Sequence, residues 1–181
     1  MPASVGRLML NNLFYRLKQF YFGMTARYTP ADEQFVRQAL TGPEYGLFSQ
    51  LPDFEKRHAV VVAQKMLQIA PPQYSRGKLA KLGLLHDIGK LAEKNSILSK
   101  SWLVIVRFFA PWLYNWLADG LKNKRYHTHK HHGAIGAAML EKLGVSPDIL
   151  AVISKHDPRV EPFGPDDSLE LKILQAADST Y

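Results

Sequence analysis

Leu84-Leu85-His86-Asp87-Ile88-Gly89-Lys90 is the stretch that decides how this chain reads. A histidine and an aspartate stand side by side at the end of an apolar run. Successive helical side chains point about 100° apart, so the two do not share a face by default. They can converge on one ion if the helix end unwinds slightly, and Gly89 supplies that freedom. A His-Asp dipeptide alone occurs by chance, so its meaning depends on its surroundings.

Those surroundings hold matching donors. His58 lies mid-helix with Val61, Val62 and Lys65 at i+3, i+4 and i+7, an inward position. Asp178 follows the apolar run Ile173-Leu174-Gln175-Ala176-Ala177. A lone buried carboxylate costs several kcal/mol, so it must be paired or bound to metal. One histidine, one His-Asp pair and one distal aspartate on separate apolar helices meet that demand together. The chain has no cysteine, which excludes disulfides, thiolate zinc sites and a cysteine nucleophile. Any metal must be held by His, Asp or Glu, which suits Fe, Mn, Co, Ni, Zn or Mg.

The rest of the chain reads as helices. Apolar residues recur at three- and four-residue steps, with Gly and Pro at the breaks. A basic amphipathic helix is expected over Arg7 to Phe22. Thr29-Pro30-Ala31-Asp32 opens the next, which is expected to stop at Gly42-Pro43, with a short helix near Glu44 to Gln50. Pro52 opens another that runs through His58 to Ala70. Ser75 caps the helix leading to His86-Asp87. Thr128 is expected to cap a helix ending at Gly144, Ser146-Pro147 the next, and Ser168 the last. No segment alternates with a two-residue period, so strands are not expected. The fold class is therefore all-α, in one structural unit: residues 1–50 as an N-terminal helical extension packed on a core domain of residues 51–181.

This arrangement resembles the HD-domain superfamily of metal-dependent phosphohydrolases. The order His58, then His86-Asp87, then Asp178 carries the resemblance, which extends from about Asp53 to the C-terminus. His132-Gly133-Ala134-Ile135-Gly136-Ala137 is similar to the segment that supplies a second-metal ligand in the dinuclear members, and Ile153-Ser154-Lys155-His156 to the one that supplies their next histidine. The resemblance thus implies a compact helical bundle and a metal set of His58, His86, Asp87, His132, His156 and Asp178, with Asp87 bridging two divalent ions, iron or manganese foremost. In the His-rich run Tyr126 to His132, His132 is taken as the ligand because Gly136 one turn later leaves room for close helix approach. His131 stays the alternative, and His127 or His129 could contact a phosphate instead.

The chemistry expected is attack on phosphorus by metal-activated hydroxide. Lys90 could offset charge at a phosphate oxygen, or be a helix C-terminal lysine favoured by the dipole. Arg125 and Lys130 flank the His-rich turn as further substrate-binding candidates. The net charge of +7 in 181 residues favours anionic partners, and a nucleotide is the expected substrate; no specific nucleic acid is expected. The cyclic-dinucleotide phosphodiesterases of the superfamily carry Gly-Tyr-Pro after the later histidines, and its alarmone hydrolases carry Glu-Asp soon after His-Asp; neither signature is present. The diadenosine tetraphosphate hydrolases are similar in ligand order and size, but continue past their last aspartate with an acidic and Arg-containing segment, which leaves that substrate open. A di-iron oxygenase with the same ligands and a non-catalytic nucleotide-binding module are the alternative classes.

Ser101 to Ala118 is unusual. It holds all three tryptophans, with Arg107 as its one charge. The stripe Trp102, Ile105, Val106, Phe109, Leu113, Trp116 and Leu117 fits a core-facing helix, yet the other side is apolar too. The expectations are a dimer interface or a lid over the substrate, or else peripheral membrane attachment aided by the basic residues 1–28. Arg107 and Pro111 make it a poor transmembrane span. With no cleavable signal pattern at the N-terminus, the expected location is cytoplasmic.

Overall fold

A computed structural model describes residues 27–93, 97–158, 160 and 164–179. The amphipathic helix expected over Arg7 to Phe22 lies outside the described residues. Among the described residues there are nine α-helices and no strand, as the spacing of apolar positions predicts.

Helix α1 (Pro30–Ala39) begins where local chemistry favours it. The Thr29 hydroxyl accepts from the Asp32 amide at 3.2 Å, and the Asp32 carboxylate accepts from the Thr29 amide at 2.9 Å. Gly42-Pro43 does not merely end α1. It opens α2 (Gly42–Phe48), for which Thr41 and Glu44 form a second reciprocal cap. Proline is as good a helix start as a helix stop, and the hydroxyl just before it decides which. Val36 of α1 and Phe48 of α2 are fully buried in the same apolar cluster as the helices that follow.

The core lies between α3 (Asp53–Ile69) and α4 (Arg76–Leu85), the most intimately packed pair, closed by α8 (Pro147–Ser154) and α9 (Leu169–Ser179). Val62, Ala63 and Met66 meet Leu79, Leu82, Leu85, Ile153 and Leu174 there. Each large apolar side chain so buried contributes about 1.5–3 kcal/mol. Lys78 joins α4 to its neighbours by ion pairs to Asp148 at 2.8 Å and Glu170 at 2.9 Å.

After α4 the chain tightens into a 3-10 turn, Ile88–Ala92. That turn lies against α7 (Lys124–Glu141). The contact is backbone to backbone: a Cβ on Gly89 would sit 1.9 Å from the His132 carbonyl oxygen, and one on Gly136 would sit 2.9 Å from the Gly89 nitrogen. Gly133 likewise lets α7 approach α8, since a Cβ there would lie 2.6 Å from the Ser154 oxygen. Glycine is needed at these places for proximity more than for flexibility.

Two further expectations are corrected. Asn123, not Thr128, caps α7: its side chain accepts from the Arg125 amide at 3.2 Å, and Thr128 is buried one turn inside the helix. The Trp-rich segment is not one core-facing helix. It forms α5 (Ile97–Phe109), α6 (Pro111–Asn115) and a π turn at Trp116–Gly120, because Pro111 cannot continue the preceding ladder. Leu103, Val106, Tyr114 and Ala118 are buried, whereas Trp102, Ile105, Phe109 and Trp116 from the expected inward stripe are exposed.

Candidate metal centre

Three helices and the ends of two others deliver six donors to one place. His58 comes from α3, His86 from the residue that ends α4, Asp87 from just beyond it, His132 from α7, His156 from just past α8 and Asp178 from α9. His86 is still helical at φ −56°, ψ −35°, and the unwinding falls on Asp87 at φ −98°, ψ 6°. That change of backbone swings Asp87 round to the side of His86, which a continuous helix would not do.

Asp87 divides its two oxygens. Oδ1 lies 3.1 Å from His132 Nε2 and 3.7 Å from His156 Nε2. Oδ2 lies 3.4 Å from His86 Nε2 and 3.6 Å from His58 Nε2. Asp178 Oδ1 completes the second group, 3.1 Å from His58 Nε2 and 3.7 Å from His86 Nε2. Two clusters result, His58–His86–Asp87 and Asp87–His132–His156, sharing one carboxylate.

These spacings fit a cation. Ligands about 2.1 Å from one ion stand about 3.0–3.4 Å from one another at octahedral or tetrahedral angles. The hydrogen bonding agrees. The Nδ1 atoms of His86, His132 and His156 face the carbonyls of Gly83 (2.8 Å), His129 (2.9 Å) and Ile153 (2.8 Å). Donation at Nδ1 leaves the Nε2 of His132 and of His156 as a lone pair aimed inward, and that of His86 as the position for a proton or an ion. His132 and His156 then present facing lone pairs 3.1 Å apart, which two neutral rings cannot satisfy between themselves. The Nε2 of His86 is buried without a hydrogen-bond partner. A bound ion removes both problems.

Charge at the centre follows from burial opposed by neighbours. Burial raises Asp87, but the Lys90 ammonium and a charged His86 outweigh it, so the carboxyl is held well below the usual range. Asp178 is also raised by burial and held well below that range by His58 and His86. Burial lowers His86, but Asp87 and Asp178 together raise it to about 10. Burial lowers His156.

The cations named from sequence fall in different places. The Lys90 ammonium is bonded to Asp87 Oδ2 and lies 3.5 Å from Glu55 Oε2. Lys130 bonds Asn115 at 2.8 Å and Asp119 at 2.6 Å. Arg125 is exposed in the first turn of α7. His131 bonds Asp119 at 2.8 Å, outside both clusters, and its ring lies 4.7 Å from that of His127. The Nδ1 of His129 faces the Tyr114 hydroxyl at 2.6 Å.

Three residues that the sequence reading gave no part in the site belong to its surroundings. Glu55 lies three positions before His58 on α3 and holds Lys90. Asp157 is buried beside His156, with Arg107 3.5 Å away. Arg107 and Lys130 line a pocket of about 320 Å³ with Pro111, Tyr114, Asn115 and Val160. Asp157 left one signal: His156-Asp157 is a second His-Asp dipeptide, again at the end of an apolar helix.

Fold and site together define an all-helical protein with a buried His/Asp centre suited to divalent metal. A family model described as HD domain matches residues 56–181. The chain belongs to the HD-domain family, within the superfamily of metal-dependent phosphohydrolases. No curated protein and no solved structure matches it.

Proposed function

We propose that this protein hydrolyses a phosphate ester or anhydride of a small molecule, most simply a nucleotide, with two divalent ions. The observation that carries this reading is the division of the Asp87 oxygens between two groups of histidines. When bound, the ions lower the pKa of a coordinated water toward neutrality and so supply a hydroxide for attack on phosphorus. His58, His86 and Asp178 would hold one ion, His132 and His156 the other, and Asp87 both. Nitrogen and oxygen donors without thiolate suit iron or manganese.

Around the ions, the chain's own groups have distinct tasks. Lys90 stays protonated, since Asp87 and Glu55 outweigh the effect of its burial, and it fixes the orientation of Asp87. The pocket of about 320 Å³ offers Arg107 and Lys130 to an anionic group. Its wall is tied to the metal centre: Tyr114 contacts His129, whose carbonyl accepts from His132. Arg125, one turn before His129 on α7, is a further cation on that side. The overall positive charge favours encounter with phosphates.

The test is phosphate release from a panel of nucleoside phosphates, dinucleoside polyphosphates and simple phosphomonoesters, with Mn, Fe or Co added. Turnover that disappears in Asp87→Ala supports the proposal. No turnover across the panel in metal-loaded protein overturns it, and oxygen consumption by the iron form would point instead to an oxygenase.

A further inference from the structure

The segment from Ile97 to Gly120 has two unlike faces. The inward face is already satisfied: Leu103, Val106, Tyr114 and Ala118 are buried, and Arg107 reaches Asp157 at 3.5 Å. The outward face is aromatic and open. Trp102 is 58% exposed, Phe109 68%, Trp112 72% and Trp116 53%. With Ile105, Phe108 and Leu121, these make seven of the ten large apolar side chains exposed among the described residues, all within positions 102–121. Single exposed apolar residues are ordinary, but such a concentration marks a surface that meets something.

The charge around this face indicates what it meets. Residues 119–125 carry Lys122, Lys124 and Arg125 against Asp119, with Lys124 also 3.1 Å from Glu93. Asp119 is itself paired with Lys130 at 2.6 Å. Lys122, Lys124 and Arg125 are exposed directly after Leu121, the last apolar residue of the face. The first 28 residues add four cations and no acid. A two-fold pairing of this face with a second copy would offer the basic rim no free acid, since Asp119 is the one acid within residues 102–121 and already bonds Lys130. An anionic surface gains from the same rim. Tryptophan and phenylalanine suit the headgroup region of a bilayer, with lysine and arginine at lipid phosphates. No helix among the described residues is long and apolar enough to cross a membrane.

We infer that the outward face of residues 102–121, with its rim of Lys122, Lys124 and Arg125, docks the protein on the surface of an anionic lipid bilayer. The aromatic side chains enter the headgroup layer, and the cations set the preference for negative lipid. Docking does not depend on hydrolytic activity, so it stands or falls apart from the proposed reaction.

The experiment is co-sedimentation of the full chain with vesicles of phosphatidylcholine, with and without phosphatidylglycerol. Binding to the anionic vesicles is expected, with tryptophan emission shifted to the blue and weakened by high salt. Phe109→Glu with Trp112→Glu should weaken binding at least about tenfold, while circular dichroism and metal content stay as in the parent. Lys122→Glu with Lys124→Glu should weaken it on anionic vesicles and leave the apolar face intact. Absence of binding overturns the inference. So does binding unchanged by Phe109→Glu with Trp112→Glu, which would assign it to residues 1–28. A dimer that these substitutions dissolve, without vesicle binding, would give the face to a second copy.

Discussion

His132 and His156 bring their Nε2 atoms within 3.1 Å of each other, although both rings face backbone carbonyls through Nδ1. In this tautomer each inward nitrogen is an acceptor, so an ion between them converts mutual repulsion into two bonds. Metal should therefore stabilise the fold. At a thousandfold excess over its dissociation constant a ligand adds about 4 kcal/mol, or about 10 °C in Tm for a domain of this size. Calorimetry with and without chelator checks this. Equal Tm values in both states would mean that the rings are arranged for some other reason.

Lys90 bonds Asp87 and lies near Glu55, 35 positions upstream. Its substitution should therefore act through the metal. Lys90→Met is expected to weaken metal binding about 10- to 100-fold, the usual effect of losing a group that orients a ligand. KM measured at saturating metal should change little. A raised KM with unchanged metal affinity would give Lys90 the role of a substrate-phosphate contact instead.

In the metal-free protein, the proton on His86 stands where the ion would. His86 is raised from 6.5 to about 10, so metal must displace a proton over the whole range between these values. Metal affinity should rise with pH from about 6.5 to about 10, with proton release on binding that is measurable by titration calorimetry in buffers of different ionisation enthalpy. The stability that His86 gives the metal-free fold runs the other way. It is complete below pH 6.5 and is lost as pH rises through about 10. No proton release across this range would mean that His86 is neutral before metal arrives.

Gly89 has no room for a side chain, with the His132 oxygen 1.9 Å from where a Cβ would lie. Gly89→Ala must push the 3-10 turn off α7 and carry Asp87 away from His132. The expected loss is about 3 kcal/mol or more, accompanied by loss of metal. Denaturant unfolding of the metal-free variant isolates the packing component; an unchanged midpoint would show that the turn can move at no cost.

Sequence and structure agree best where the cause is local. Thr29, Pro30 and Asp32 start α1 through contacts within one turn, and a reader of the sequence has all of them. The order of His58, His86-Asp87 and Asp178 on apolar helices is legible too, because burial of polar donors demands a shared partner. Failures came where two local rules competed. The short helix expected near Glu44 to Gln50 is present, but the Thr41–Glu44 cap moves its start to Gly42. Thr128 is a good cap residue, but Asn123 begins the helix first. The pairings of Glu55 and Asp157 lay beyond sequence reading because their partners, Lys90 and Arg107, stand 35 and 50 residues away. In the Trp-rich segment both sides are apolar, so periodicity alone does not say which side meets the core.

On the proposed function, Asp87 joins two groups of ligands about two ions. Elemental analysis of protein purified without chelator tests it most directly, beside His132→Ala and Asp87→Ala. Two divalent ions per chain are expected in the parent, one in His132→Ala and fewer still in Asp87→Ala, with each variant folded. Metal-free parent protein that takes up no divalent ion when one is supplied, or metal content that His132→Ala and Asp87→Ala leave unchanged, would contradict it.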